Sequence, residues 1–109
     1  MNNIAIIGNL TKAPEIYESK ECTIATLSVA VNDFKKDEEI TTYFTVKVFG
    51  KLAESCEDYL DKGNKVAVQG SMQTRNYEDK DGNKRVAWEI IANRVEFLTP
   101  AEKPTKRKR

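Results

Sequence analysis

The sequence predicts an all-β chain with one helix, closed as a small barrel of five strands. Three observations carry that expectation. Apolar and polar residues alternate in five separate segments, which is the period of a strand with one covered face. One segment, Lys51 to Leu60, breaks the alternation: Leu52, Ala53, Cys56, Tyr59 and Leu60 recur at helical spacing, and Lys62-Gly63 follows as a stop. Asp81-Gly82 lies between the last two strand-like segments, a pairing that suits a hairpin turn.

The elements follow in order. Ile4, Ile6 and Leu10 share a parity, with Gly8 between them, and suggest a first strand over about 2–10. In the second strand Leu27, Val29 and Val31 take one face while Thr26, Ser28 and Asn32 take the other. Phe34 follows it and precedes a charged loop, Lys35 to Glu39. A third strand covers about 40–49, with Phe44, Val46 and Val48 on one face. After the helix come a fourth strand over about 64–73 and a fifth over about 84–98. Pro14, Pro100 and Pro104 are the only prolines, so no linker interrupts the body, and residues 1–99 read as one domain. Residues 100–109 lack hydrophobic periodicity and are expected to form a basic, disordered tail. Three strands, a helix and two strands is the order of an OB-fold barrel, which presents strands 2 and 3 and nearby loops to oligonucleotides.

Composition removes several function classes. A chain of 109 residues holds one modest core. No apolar run approaches the roughly 20 residues that cross a bilayer. The opening MNNIAIIGNL has neither a basic leader nor a small-residue cleavage site, so a cytoplasmic location without membrane contact is expected. There is no histidine, which excludes the commonest zinc sites and histidine-activated nucleophiles. Cys22 and Cys56 stand far apart in apolar settings and read as buried free thiols. Glu78, Asp79 and Asp81 read as a turn, and Glu54, Glu57 and Asp58 as the solvated face of the helix. Neither group frames a cleft with paired carboxylates, so no enzyme activity, metal or other cofactor is expected. Net charge is +1, but Lys103, Lys106, Arg107, Lys108 and Arg109 close the chain without an intervening acid. Such a cluster serves polyanion contact or solubility alike.

The third strand is the informative one. With Phe44, Val46 and Val48 turned inward, Tyr43, Thr45, Lys47 and Phe49 point out. A solvent face that alternates aromatics with a cation suits single-stranded nucleic acid, where bases stack on rings and lysines meet phosphates. The same residues also suit packing under a loop or a subunit interface. Arg75 and Tyr77 share a parity on the arm leading to the Asp81-Gly82 turn, and Lys84 and Arg85 follow the turn. That hairpin either folds over a nucleic acid strand or is ordinary and solvated. Phe34 suits core and binding face equally. Trp88 shares its parity with Val86 and Ile90, which points to core or interface, with nucleic-acid contact as the other reading.

Several strings resemble the single-stranded DNA-binding protein family of bacteria and phages. NNIAIIGNL at residues 2–10 with Pro14-Glu15 resembles its opening, and FGKLAE, YLDKG, VQG and TRNYEDKDG follow in the family's order and spacing. The resemblance spans almost the whole body. It implies an OB-fold with an aromatic face for stacking single-stranded DNA. It also implies subunits that pair through their first strands, with a homotetramer favoured and a dimer as the other option. By position, Tyr43 and Tyr77 stand where the family places stacking tryptophans. Phe49 and Lys51 match a base-contacting aromatic and the basic residue after it, and Arg75 matches the arginine of the TR-x-W motif. Phe34 lies near a further stacking position.

Departures accompany the match. Tyr or Phe replaces Trp at the matched positions, and Gln73 stands where a basic residue is common. The chain ends Lys106-Arg107-Lys108-Arg109 in place of the family's Gly/Pro/Gln-rich linker and acidic tip, which recruit replication and recombination proteins. A phage, mobile-element or minimal version is therefore expected. The leading expectation is sequence-nonspecific binding of single-stranded DNA, with stacking by Tyr43, Phe49, Tyr77, Phe34 and Trp88. Phosphates would be neutralised by Lys47, Lys51, Arg75, Lys84 and Arg85. The runner-up is a replication-restart adaptor dimer acting mainly through protein contacts, and the third reading is a small OB-fold nuclease.

Overall fold

Alternation of branched apolar residues with polar ones gives long strands, and their shared apolar face closes the sheet on itself. The computed structural model describes residues 1–99. The expected tail at 100–109 lies outside the described residues. The strands are β1 (Ile4–Leu10), β2 (Glu15–Glu18), β3 (Thr23–Lys35) and β4 (Glu38–Phe49). The helix α1 (Lys51–Tyr59) follows, then β5 (Lys65–Glu78) and β6 (Lys84–Phe97). The sheet order is β1-β5-β6-β4-β3, and contact between β1 and β3 closes it into the five-stranded barrel of an OB-fold. All pairings are antiparallel except β4 with β6, which run parallel over Thr45–Lys47 and Glu89–Ile91.

The core sits inside that ring. Ile6 and Leu10, Leu27 and Val29, Val46 and Val48, Val66 and Val68, and Ile90 are buried from their five strands. Each fully covered side chain of this size contributes about 1.5–3 kcal/mol of transfer free energy. The helix adds Ala53 and Cys56 and packs against β3 and β4. Its end is marked by Tyr59, whose ring lies 6.4 Å from that of Phe97. Glycine permits two close approaches of backbone. A Cβ on Gly8 would lie 2.3 Å from the Ala30 carbonyl oxygen, and one on Gly70 would lie 2.0 Å from that of Ile91. Gly70 also sits at the register shift where β6 carries one extra residue, Asn93, against β5.

Three expectations are corrected here. First, β2 was not anticipated. It lies along β3 from Glu15↔Thr26 to Glu18↔Thr23, on the same edge that β1 meets at Asn9↔Ala30 and Leu10↔Val29. Second, Lys35 to Glu39 is no loop. β3 and β4 remain paired out to Lys35↔Glu38, and Lys36 and Asp37 make the turn with φ of 52° and 66°. Positive φ at both central residues is the I′ geometry that matches strand twist. Third, β5 continues to Glu78, well past residue 73. Two hairpin arms, β3–β4 and β5–β6, therefore project from one end of the barrel beyond the short parallel seam.

Candidate nucleic-acid interface

Strand register decides which side chains share a surface, because paired residues point to the same side of a sheet. Tyr43, Thr45, Lys47 and Phe49 pair with Ala30, Ser28, Thr26 and Ile24. These residues form the outer face, opposite Phe44, Val46 and Val48. Tyr43 is 71% exposed and Phe49 44%. Phe34 pairs with Glu39, two pleats beyond Tyr43 on that same face, and is 76% exposed. Phe34, Tyr43 and Phe49 thus line one surface over a length of about 34 Å at 3.4 Å per residue.

The second arm continues the surface. Thr45 pairs with Glu89, Glu89 with Gln73, and Tyr77 with Arg85. Alternation then puts Arg75, Tyr77 and Arg85 on the side of Tyr43. Arg75 has two partners there. Its Nη2 lies 3.3 Å from Glu89 Oε2, and its guanidinium sits 5.4 Å from the Tyr77 ring centroid. The largely covered Glu89 carboxylate fixes the arginine, and the arginine holds the ring by a cation–π contact.

Lys47 is half-buried, and its Nζ donates to Thr26 Oγ1 at 2.9 Å. Lys51 is exposed at the first position of α1, two residues after Phe49. Arg85 Nε donates to Asp79 Oδ2 at 2.9 Å. Asp79 also accepts from the backbone N–H groups of Asp81 and Asn83. The Arg85 guanidinium, then the Asn83 amide, hold the Asp79 carboxyl below the usual carboxylate range. The acidic turn is thus a set of hydrogen bonds that fixes the hairpin tip.

The structure separates two residues from this surface. Trp88 pairs with Thr74 and Lys84 with Glu78, which places both on the opposite side of the β5–β6 arm. Trp88 is also neither core nor covered in the subunit: it is 66% exposed, and its parity mate Val86 53%, whereas Ile90 is buried. Parity was right, but the barrel ends near Glu89, and beyond that point the inward side of the arm meets no core. Cys22 is only partly buried. Sequence reasoning also passed over Tyr17, an exposed ring on β2 whose register partner, Ile24, is that of Phe49. The apolar-next-to-acid string Glu15-Ile16-Tyr17-Glu18 after Pro14 was the available signal.

Comparison with known proteins agrees with this geometry. The Single-strand binding protein family matches residues 1–98. Single-stranded DNA-binding protein 2 of Staphylococcus aureus is 38% identical over 104 residues, covering 92% of this chain and 74% of that protein. Single-stranded DNA-binding protein 3 of Clostridium acetobutylicum is 39% identical over 102 residues, covering 90% and 71%. Among solved structures, a Plasmodium falciparum SSB complex with ssDNA superposes with a TM-score of 0.81 at 30% identity, covering 90% of this chain and 95% of that one. With its barrel order, its outer aromatic face and a match over nearly all its described residues, the chain belongs to the single-strand binding protein family.

Proposed function

We propose that this protein binds single-stranded DNA with little sequence preference and keeps unpaired strands covered during replication or recombination. The observation that carries the reading is the outer face on which Phe34, Tyr43, Phe49 and Tyr77 stand exposed beside Lys47, Arg75 and Arg85. Bases stack on the rings, at about 1–3 kcal/mol each, and any base offers such a face. Lys47 and Lys51 supply charge to phosphates next to Phe49. Arg75 and Arg85 serve the second arm, where Glu89 and Asp79 already balance part of their charge. Trp88 and Lys84, on the far side of that arm, are left out of the stacking track.

The working form is a homo-oligomer, with a tetramer favoured. β1 is paired with β5 along Ile4–Asn9 but meets β3 only at Asn9 and Leu10. Its other edge is open to a second copy. A cleft of about 660 Å³ lies along that edge, with Ile6, Ile7, Val31, Phe44 and Val68 in its lining.

Fluorescence anisotropy with labelled oligo(dT), against duplex of equal length at several salt concentrations, tests the reading. Binding to the single strand alone, falling with salt at a log–log slope of about −0.7 per phosphate neutralised, is expected. Weak and equal binding to both, vanishing at modest salt, would refute it.

A further inference from the structure

We infer that Tyr17 is an additional base-stacking position, which turns the aromatic track off the end of β4 and across the sheet onto β2. This rests on the proposed binding of single-stranded DNA and extends its site to a residue outside the motifs that suggested it.

Register makes the case. Tyr17 pairs with Ile24, and Ile24 pairs with Phe49. The three therefore stand side by side on the outer face, in a row perpendicular to the strands. Tyr17 is 65% exposed, more than Phe49 at 44%. Two strand spacings separate the rings' backbones by about 10 Å. That is about three nucleotides at a stacked rise of 3.4 Å, and fewer for an extended strand. The half-buried Ile24 between them is an apolar floor on which an intervening base can rest.

The neighbouring row has the complementary chemistry. Glu15 pairs with Thr26 and Thr26 with Lys47, one pleat repeat (about 7 Å) from the Tyr17 row. Lys47 Nζ is anchored on Thr26, and Lys12 forms an ion pair with Glu15 at 2.5 Å. The one acid of that row is thus matched by Lys12, and Lys47 remains as a cation in excess. A row for bases beside a row for phosphates is the arrangement of a single-strand binding groove. The Tyr17 ring is left open, level with an aromatic already in the track.

The test compares Tyr17→Ala, Tyr17→Phe and Tyr43→Ala in the full chain by anisotropy with labelled oligo(dT). Size-exclusion chromatography and thermal melting are run on each variant. The expected result is a five- to tenfold loss of affinity for Tyr17→Ala, with Tyr17→Phe within about twofold of the parent. A second readout places the only indole at the site, using Tyr17→Trp in a Trp88→Phe background. Its emission is expected to be quenched on saturation with oligo(dT). If Tyr43→Ala loses affinity while Tyr17→Ala does not, the Tyr17 assignment falls and the binding face stands. If neither variant loses affinity, the binding face falls as well. Should Tyr17→Ala change the oligomeric state or melt the protein, the indole decides: an unquenched indole in the DNA-saturated protein overturns the inference.

Discussion

Removing the Tyr43 ring separates stacking from charge. Tyr43 is 71% exposed, so about three tenths of a side chain that buries some 200 Å² when fully covered is lost to packing. At about 25 cal/mol per Å² that is at most ~1.5 kcal/mol of folding stability, against the 5–15 kcal/mol typical of a domain. Tyr43→Ala therefore stays folded at 25 °C. Loss of one stacked base costs about 1–3 kcal/mol of binding, which is roughly a 5- to 150-fold rise in Kd. No charge is removed, so a plot of log affinity against log salt shifts down without changing slope. Lys47→Ala behaves in the opposite sense: it lowers the slope's magnitude by about 0.7. Anisotropy with labelled oligo(dT) at several salt concentrations, with circular dichroism to confirm folding, distinguishes the two. A folded Tyr43→Ala with Kd within twofold of the parent, or with a slope change matching that of Lys47→Ala, would refute the reasoning.

Other consequences are as direct. Gly8→Ala puts a methyl group 2.3 Å from the Ala30 carbonyl oxygen at the β1–β3 closure. We expect a loss of about 2 kcal/mol and a Tm lower by roughly 8–16 °C in calorimetry, and an unchanged Tm would contradict the close approach. Asp79, whose carboxyl is held low by Arg85 and by backbone amides, stabilises its hairpin tip fully above the ordinary carboxylate value of 3.8. That stability is lost as pH falls through the lowered folded value. Amide protection at Asp81 and Asn83 should follow this course, and Asp79→Ala should abolish the pH dependence. Cys56 is fully buried, and desolvation pushes its thiol up to about 12. A thiol reagent should therefore modify Cys22 in the native protein and reach Cys56 only at the rate of unfolding.

Much of the fold, and the outer face that carries the candidate site, was legible because period-two alternation is unambiguous where one face has a core. Val46 and Val48 against Lys47 and Phe49 fixed the outer face of β4 before any register was known. The helix was equally legible from Ala53 and Cys56. What alternation does not reveal is how far the covered side extends. Trp88 and Ile90 have the same parity and opposite fates, because one lies beyond the barrel's end. β2 escaped notice since its four residues begin and end on glutamates and carry only Ile16 toward the core. The β3–β4 turn was hidden differently: Lys36 and Asp37 adopt positive φ without the Gly or Asn that normally announces it. The unbroken pairing of β3 with β4 out to Lys35↔Glu38 outweighs a cost of about 1–2 kcal/mol per left-handed residue.

The projecting β3–β4 arm has one more consequence, for solubility. Past the barrel, Asn32–Lys35 and Glu38–Thr41 pair only with each other among the described residues, so both outer edges carry open backbone donors and acceptors. Such edges recruit foreign strands and seed aggregates. Here Asp33, Lys35, Lys36, Asp37, Glu38 and Glu39 crowd the tip. Adding a strand would bury these charges of both signs against a neighbour. The tip thus acts as a gatekeeper, letting an exposed ribbon carry Phe34 and Tyr43 into solvent without becoming a template for its own kind.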